Sequence, residues 1–210
     1  MDPVLVLIGV FAIFLPALVL PGPDFVAVVR SSMAHGVRSG LLTTVGVSCG
    51  LCLYASLSLV GLSAILVEYQ WVAVTVRVAG GCYLIYLGFR LLRARPGAIE
   101  AGDARPPSGP RALAFGFLVN LTNPKAIVLF ASVFATAVGP ATPLWLMGTM
   151  IALVTASAFV WYAGVSVFMA SPAVLRRFGA LRHRIERAAG VCFIAFGGKV
   201  LTSARDPVAP

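Results

Sequence analysis

The chain has 210 residues, of which 60% are hydrophobic and only 11% charged, and its formal net charge is +9. Water-soluble domains carry about 25% charged residues, so this composition excludes a soluble globular protein and predicts an integral membrane protein. Nucleic-acid binding is also excluded: the arginines gather in a few clusters between apolar stretches, with no basic face interleaved with aromatics.

A helix crosses a bilayer with roughly 20 apolar residues, and six segments qualify. The first, about Val4–Val29, opens without a basic leader or a convincing cleavage site, which predicts a retained span. Pro21, Gly22 and Pro23 interrupt it, and Asp24 follows directly. The second, about Gly40–Leu66, holds Gly46 and Gly50 at the spacing of close helix contact. The third, about Trp71–Leu92, contains Arg77 near its start and Tyr83 further on.

Residues 93–111, rich in Pro, Gly and Ala, read as a flexible cytoplasmic linker. The fourth segment, about Ala112–Val138, is interrupted in turn by Asn120, Asn123, Pro124 and Lys125. A fifth, about Pro143–Met169, includes Trp161 and Tyr162. Ser171 as N-cap, Pro172 at the first helical position and arginines opposite Val174, Phe178, Leu181 and Ile185 predict an interfacial helix on anionic lipid. A solvated connector is the alternative there. The sixth span, about Ala188–Leu201, is short.

Arginines set the orientation. With the first span starting outside, the three inside loops hold twelve of the sixteen Lys and Arg residues, which predicts both termini outside the cytoplasmic (inner) membrane.

Two internal matches divide the chain. "AGGCYLIYLGFRL" from Ala79 aligns with "AGVCFIAFGGKVL" from Ala189, and "FLPALVLPGPDFVAV" from Phe14 with "FGFLVNLTNPKAIVL" from Phe115. Three spans per half is an odd number, so the halves run in opposite directions. The predicted fold is an all-α membrane protein: six transmembrane helices in two inverted three-helix repeats, with the first and fourth helices interrupted. Repeat one covers about 1–92 and repeat two about 112–205, in a single transporter domain over 1–210.

The interruptions are the chemical signal. Each proline removes a backbone donor and frees the carbonyl four residues earlier: Ala17 for Pro21, Val19 for Pro23, Asn120 for Pro124. Such orphans survive in hydrocarbon only where protein or a wet cavity satisfies them. Asp24 and Lys125, at matched repeat positions, each cost about 2.5–3.5 kcal/mol at mid-span. Asp24 therefore reads as a partner for a substrate ammonium or a proton, and Lys125 as a partner for a carboxylate or for Asp24. Asn120 and Asn123 supply amides beside them. The plainer alternative has Asp24 capping a helix and Lys125 snorkelling or pairing with it structurally. Arg77, Tyr83 and Trp161 are further candidates for lining a cavity.

Cys49 and Cys52 form a CxxC pair, with Cys82 and Cys192 single, which leaves a membrane redox or metal-transport protein as the alternative class. No His, Cys and carboxylate set has metal-site spacing, and no nucleotide loop or nucleophile–base pair is visible, so neither a cofactor nor an enzyme is expected.

Through "LPGPDFVAVVRSSMAHGVRSGLLTTVGVSCG" and "GFLVNLTNPKAIVLFASVF" the chain resembles the lysine exporter / homoserine–threonine resistance family of amino-acid efflux proteins, closest to its threonine-exporter branch. The resemblance runs through nearly all of the chain. It implies a secondary exporter of amino acids driven by the proton gradient. Pro21, Gly22, Pro23 and Asp24 match its first motif, and Asn120, Asn123, Pro124 and Lys125 its second. Substrate identity, coupling stoichiometry and oligomeric state are not implied.

Overall fold

The computed structural model describes residues 2–62, 70–93, 106–137, 142–168 and 171–202. Every regular element among them is helical. α1 (Pro3–Val19) starts where Asp2 accepts a hydrogen bond from the Val4 N–H at 2.9 Å, with Pro3 in the first turn. It stops at Leu20, which is extended, as the residue before a proline must be. α2 (Pro23–His35) restarts the chain at an angle of 45°. It ends at Gly36, whose φ of 80° is open to glycine and which turns the chain into α3 (Val37–Ser56).

α3 runs on through one π-helical stretch, Leu57–Leu62. α4 is Gln70–Leu92. α5 (Pro110–Leu121) and α6 (Pro124–Ala137) form the second broken pair, bent by 56°. α7 (Leu144–Phe168) and α8 (Pro172–Thr202) complete the fold. Val37–Leu59 and Leu144–Phe168 are each long and apolar enough to cross a membrane, and each bent pair passes the same test jointly. The protein is thus all-helical, with two to four candidate spans by that criterion among the described residues.

One expectation changes here. Residues 172–187 and the sixth segment are not two separate elements; both belong to α8, one uninterrupted helix of 31 residues that starts at Pro172 as expected. Beyond Pro172 it contains no further proline, and scattered glycines do not end a helix that has packing on one side. Val174 and Ile185, read as part of a lipid-facing stripe, pack instead against the core. The greater part of the predicted linker, residues 94–105, and the ends of several predicted spans lie outside the described residues.

A single apolar core joins Phe14 of α1, Phe25 and Val28 of α2, Val47 of α3, Phe130 of α6, Met150 of α7 and Phe193 of α8. Around it, small residues let two helix pairs close to backbone contact. On α3, Gly46 lies against the Leu113 carbonyl of α5, and Gly116 of α5 lies against the Thr43 carbonyl. α3 and α5 run in the same direction. α4 and α8 meet antiparallel: a Cβ on Gly197 would sit 2.7 Å from the Gly81 carbonyl, and one on Gly190 2.9 Å from that of Gly88. Without a hydrophobic drive between helices in lipid, such close packing is what holds them.

Candidate functional site

The two breaks meet, and each supplies what the other lacks. Pro21 leaves the Ala17 carbonyl without its helical donor, and α1 ends with Leu20 equally open. The Lys125 Nζ reaches across from the first turn of α6 and donates to both, at 2.9 Å to Ala17 and 3.3 Å to Leu20. Gly22 leaves room for it, since a Cβ there would stand 3.3 Å from Nζ. Lysine at this position is therefore a cap on the broken end of α1. Its ammonium goes to carbonyl dipoles and forms no direct ion pair with Asp24.

Asp24 makes the reciprocal contact. It lies in the first turn of α2, only 3% exposed, and its Oδ2 accepts from Asn120 Nδ2 at 3.0 Å and Asn123 Nδ2 at 2.9 Å. The N-cap of α2 is Gly22, and no side chain caps that helix. The capping alternative for Asp24 thus does not describe this carboxylate; a cap of that kind belongs to Asn123, whose Oδ1 accepts from the Lys125 backbone N–H at 3.0 Å. Asp24 Oδ1 is buried with no hydrogen-bond partner. An ionisable oxygen is costly to bury without a partner, which a proton, a water or a ligand group would supply.

Asn120 is placed by the same close packing. Gly50 of α3 abuts its side chain, so the amide can lie flat between α3 and Asp24. Asn120 Oδ1, against Gly50, is also without a partner.

Two tyrosines that the sequence reading did not single out as site residues complete the surround. Tyr54 Oη donates at 2.7 Å to the carbonyl of Leu121, the last residue of α5, and the ring stacks 6.0 Å from Phe130. The α5 break is thus capped by a phenol as the α1 break is capped by an ammonium. Tyr162 of α7, which the sequence placed in the fifth segment, is fully buried. The signal for Tyr54 was its register: Gly46, Gly50 and Tyr54 are four residues apart, one α3 face turned to α5.

Of the other candidates, Pro21, Gly22, Pro23 and Pro124 form the breaks themselves. Tyr83 stands apart from this cluster on α4, its ring 6.1 Å from Tyr86. Trp161 is half-buried against the core with its indole N–H unpartnered. The Arg77 side chain lies outside what is described. All four cysteines are free, and no group of three or more His, Cys, Asp or Glu could hold a metal among the described residues. Cys49 and Cys52 line an apolar groove of 680 Å³ between α3 and α7.

Comparison with known proteins adds to this geometry. Residues 15–204 match the family described as LysE type translocator. The threonine efflux protein of Escherichia coli (strain K12) is 32% identical over 194 residues, covering 89% of this chain and 93% of that protein. The leucine efflux protein of Enterobacter sp. (strain 638) is 26% identical over 205 residues, covering 92% of each. An uncharacterized membrane protein of Escherichia coli (strain K12), YahN, is 27% identical over 203 residues, 96% of this chain and 91% of that one. No solved structure matches.

Proposed function

The chain belongs to the LysE type translocator family, and from that premise we propose that it is a secondary exporter of amino acids, coupled to protons through Asp24. The observation that carries this reading is the Asp24 carboxylate, held from one side by Asn120 and Asn123 while Oδ1 has no partner. An unpartnered, buried, ionisable oxygen between two broken helices is suited to two exchangeable occupants, a proton and a substrate ammonium. Exchange of one for the other on opposite faces is antiport. The relatives named for threonine and leucine efflux favour neutral amino acids as the cargo.

In this reading the chain works as two inverted halves by alternating access. Cross-capping of the breaks supports it, since Lys125 completes the carbonyl left open at the first interruption and Tyr54 the one at the second. So does the α4–α8 crossing: its antiparallel register sets Leu84 opposite Ile194, and the repeat alignment makes those two residues equivalent. In the same reading both termini lie outside the inner membrane, and the basic segments face anionic lipid on the cytoplasmic side.

Proteoliposomes loaded with candidate amino acids and given a pH gradient test the reading. The wild type drives net flux of a neutral amino acid. Asp24→Asn, which keeps shape and hydrogen-bonding capacity but cannot carry a proton in exchange, loses it by about a hundredfold. Undiminished coupled flux in that variant would overturn the role of Asp24.

A further inference from the structure

Beneath Asp24 the seam between α2, α3 and α7 is lined with hydroxyls. Ser31 and Ser32 come from α2; Ser39, Thr43, Thr44 and Ser48 from α3; Ser166 from α7; all are buried. Some are satisfied: Thr43 Oγ1 donates to the Ser39 carbonyl at 3.1 Å, and the Thr44 and Ser166 hydroxyls are 3.0 Å apart. Ser166 Oγ also donates to the Tyr162 carbonyl at 2.9 Å. The hydroxyls of Ser31, Ser32, Ser39 and Ser48 are shut from solvent and have no partner at all.

Their order is set by packing. Ser32 of α2 touches Gly40 of α3 beside Ser166. Gly36 turns α2 directly into α3, so the pair is antiparallel, and this contact fixes its register. Thr44 then falls level with Val28, and Ser48 level with Asp24. A hydroxyl recurs at each helical turn, about 6 Å along the axis, from the carboxylate to the Gly36 turn. One or two waters would span a gap of that length, and buried hydroxyls lacking protein partners are where structural water sits. At the Ser32–Gly40–Ser166 contact the three helices pack closely.

We infer that this seam is a hydrated proton relay, separate from the substrate's route, connecting Asp24 Oδ1 to the Gly36-turn face beside His35. In the export direction a proton leaving Oδ1 passes along water and hydroxyls to the Gly36 turn, on the cytoplasmic side in the exporter reading; in reverse transport a proton taken up there binds the same oxygen. From the other elements, Asn120 and Asn123 hold the carboxylate at Oδ2, and Lys125 is engaged with the end carbonyls of α1. None of them continues the ladder toward the Gly36 turn, which leaves the serines as the path. The inference rests on the exporter reading for its purpose, and on the unpartnered serines for its location.

Its test compares two assays on the variant combining Ser31→Ala, Ser32→Ala and Ser48→Ala in proteoliposomes. Net flux driven by a pH gradient needs a proton to reach Asp24 in each cycle, whereas exchange of labelled for unlabelled amino acid does not. The relay predicts a loss of about tenfold or more in net flux with exchange kept within about twofold. Equal losses in both assays, or none in either, overturn it. If the wild type carries no amino acid, the exporter reading falls and hydration decides the relay. Water-edited solid-state NMR in lipid bilayers then finds the side chains of Ser31 and Ser48 receiving magnetisation from mobile water, with Val154 dry; equally dry serines overturn the relay.

Discussion

Lys125 is the residue whose role the structure changes most. In the sequence it is a charge at mid-span; in the fold its ammonium lies on the carbonyls of Ala17 and Leu20. Lys125→Met removes both bonds and leaves two buried acceptors open, so the variant is expected to lose about 2–4 kcal/mol of stability, read as a lower melting temperature in detergent. Tyr54→Phe is the milder counterpart at the other break. It keeps the stacking on Phe130 and abandons one carbonyl, that of Leu121, at a cost of about 1–2 kcal/mol by the same measurement. Equal stability of either variant and the wild type would show that water satisfies these carbonyls. That Asp24 sits at the first break was legible from its sequence position. Its partners were legible too, as Asn120 and Asn123 around a matched break, although the capping bond belongs to Asn123 rather than to Asp24.

Helix by helix, prolines set the breaks and glycines set the distances. Pro124→Ala restores a backbone donor and relieves the clash with the preceding turn, so α5 and α6 are expected to straighten and withdraw Asn123 from Asp24. Net flux is then lost while the protein still folds, which flux and melting measurements on one preparation separate. Glycines divide by what surrounds them. A side chain at Gly46 would strike the Leu113 carbonyl, so Gly46→Val is expected to cost about 1–3 kcal/mol and to loosen Asn120 along with α5. Gly9, inside α1 with open space around it, is expected to accept Ala with stability unchanged or raised by up to about 1 kcal/mol. The sequence marked Gly46 and Gly50 as a contact face, but the partner helix was not legible, because GxxxG spacing says that something comes close and not what. α8 shows the converse error. Its arginines and its short apolar end read as two elements, and only the continuity of the backbone joins them.

Across the whole molecule, orientation and repeat symmetry make one prediction together. A reporter that fluoresces only when folded in the cytoplasm is expected to stay dark at either end of the chain and to light up when inserted near residue 100. A bright terminus would reverse the topology drawn from the basic loops. What the sequence by itself determined is whatever depends on composition and local chemistry. Low charge demands a bilayer, unbroken apolar runs demand helices, and Pro-Gly-Pro and Asn-Pro demand interruptions, since a proline breaks the ladder wherever it stands. Only the tertiary structure decided which orphan meets which donor. That Lys125 serves Ala17, that Tyr54 serves Leu121, and that Ser32 of α2 meets Gly40 of α3 beside Ser166 follow from how the helices are placed in space. Hydrogen bonds act over about 3 Å, and a linear sequence carries no such distances.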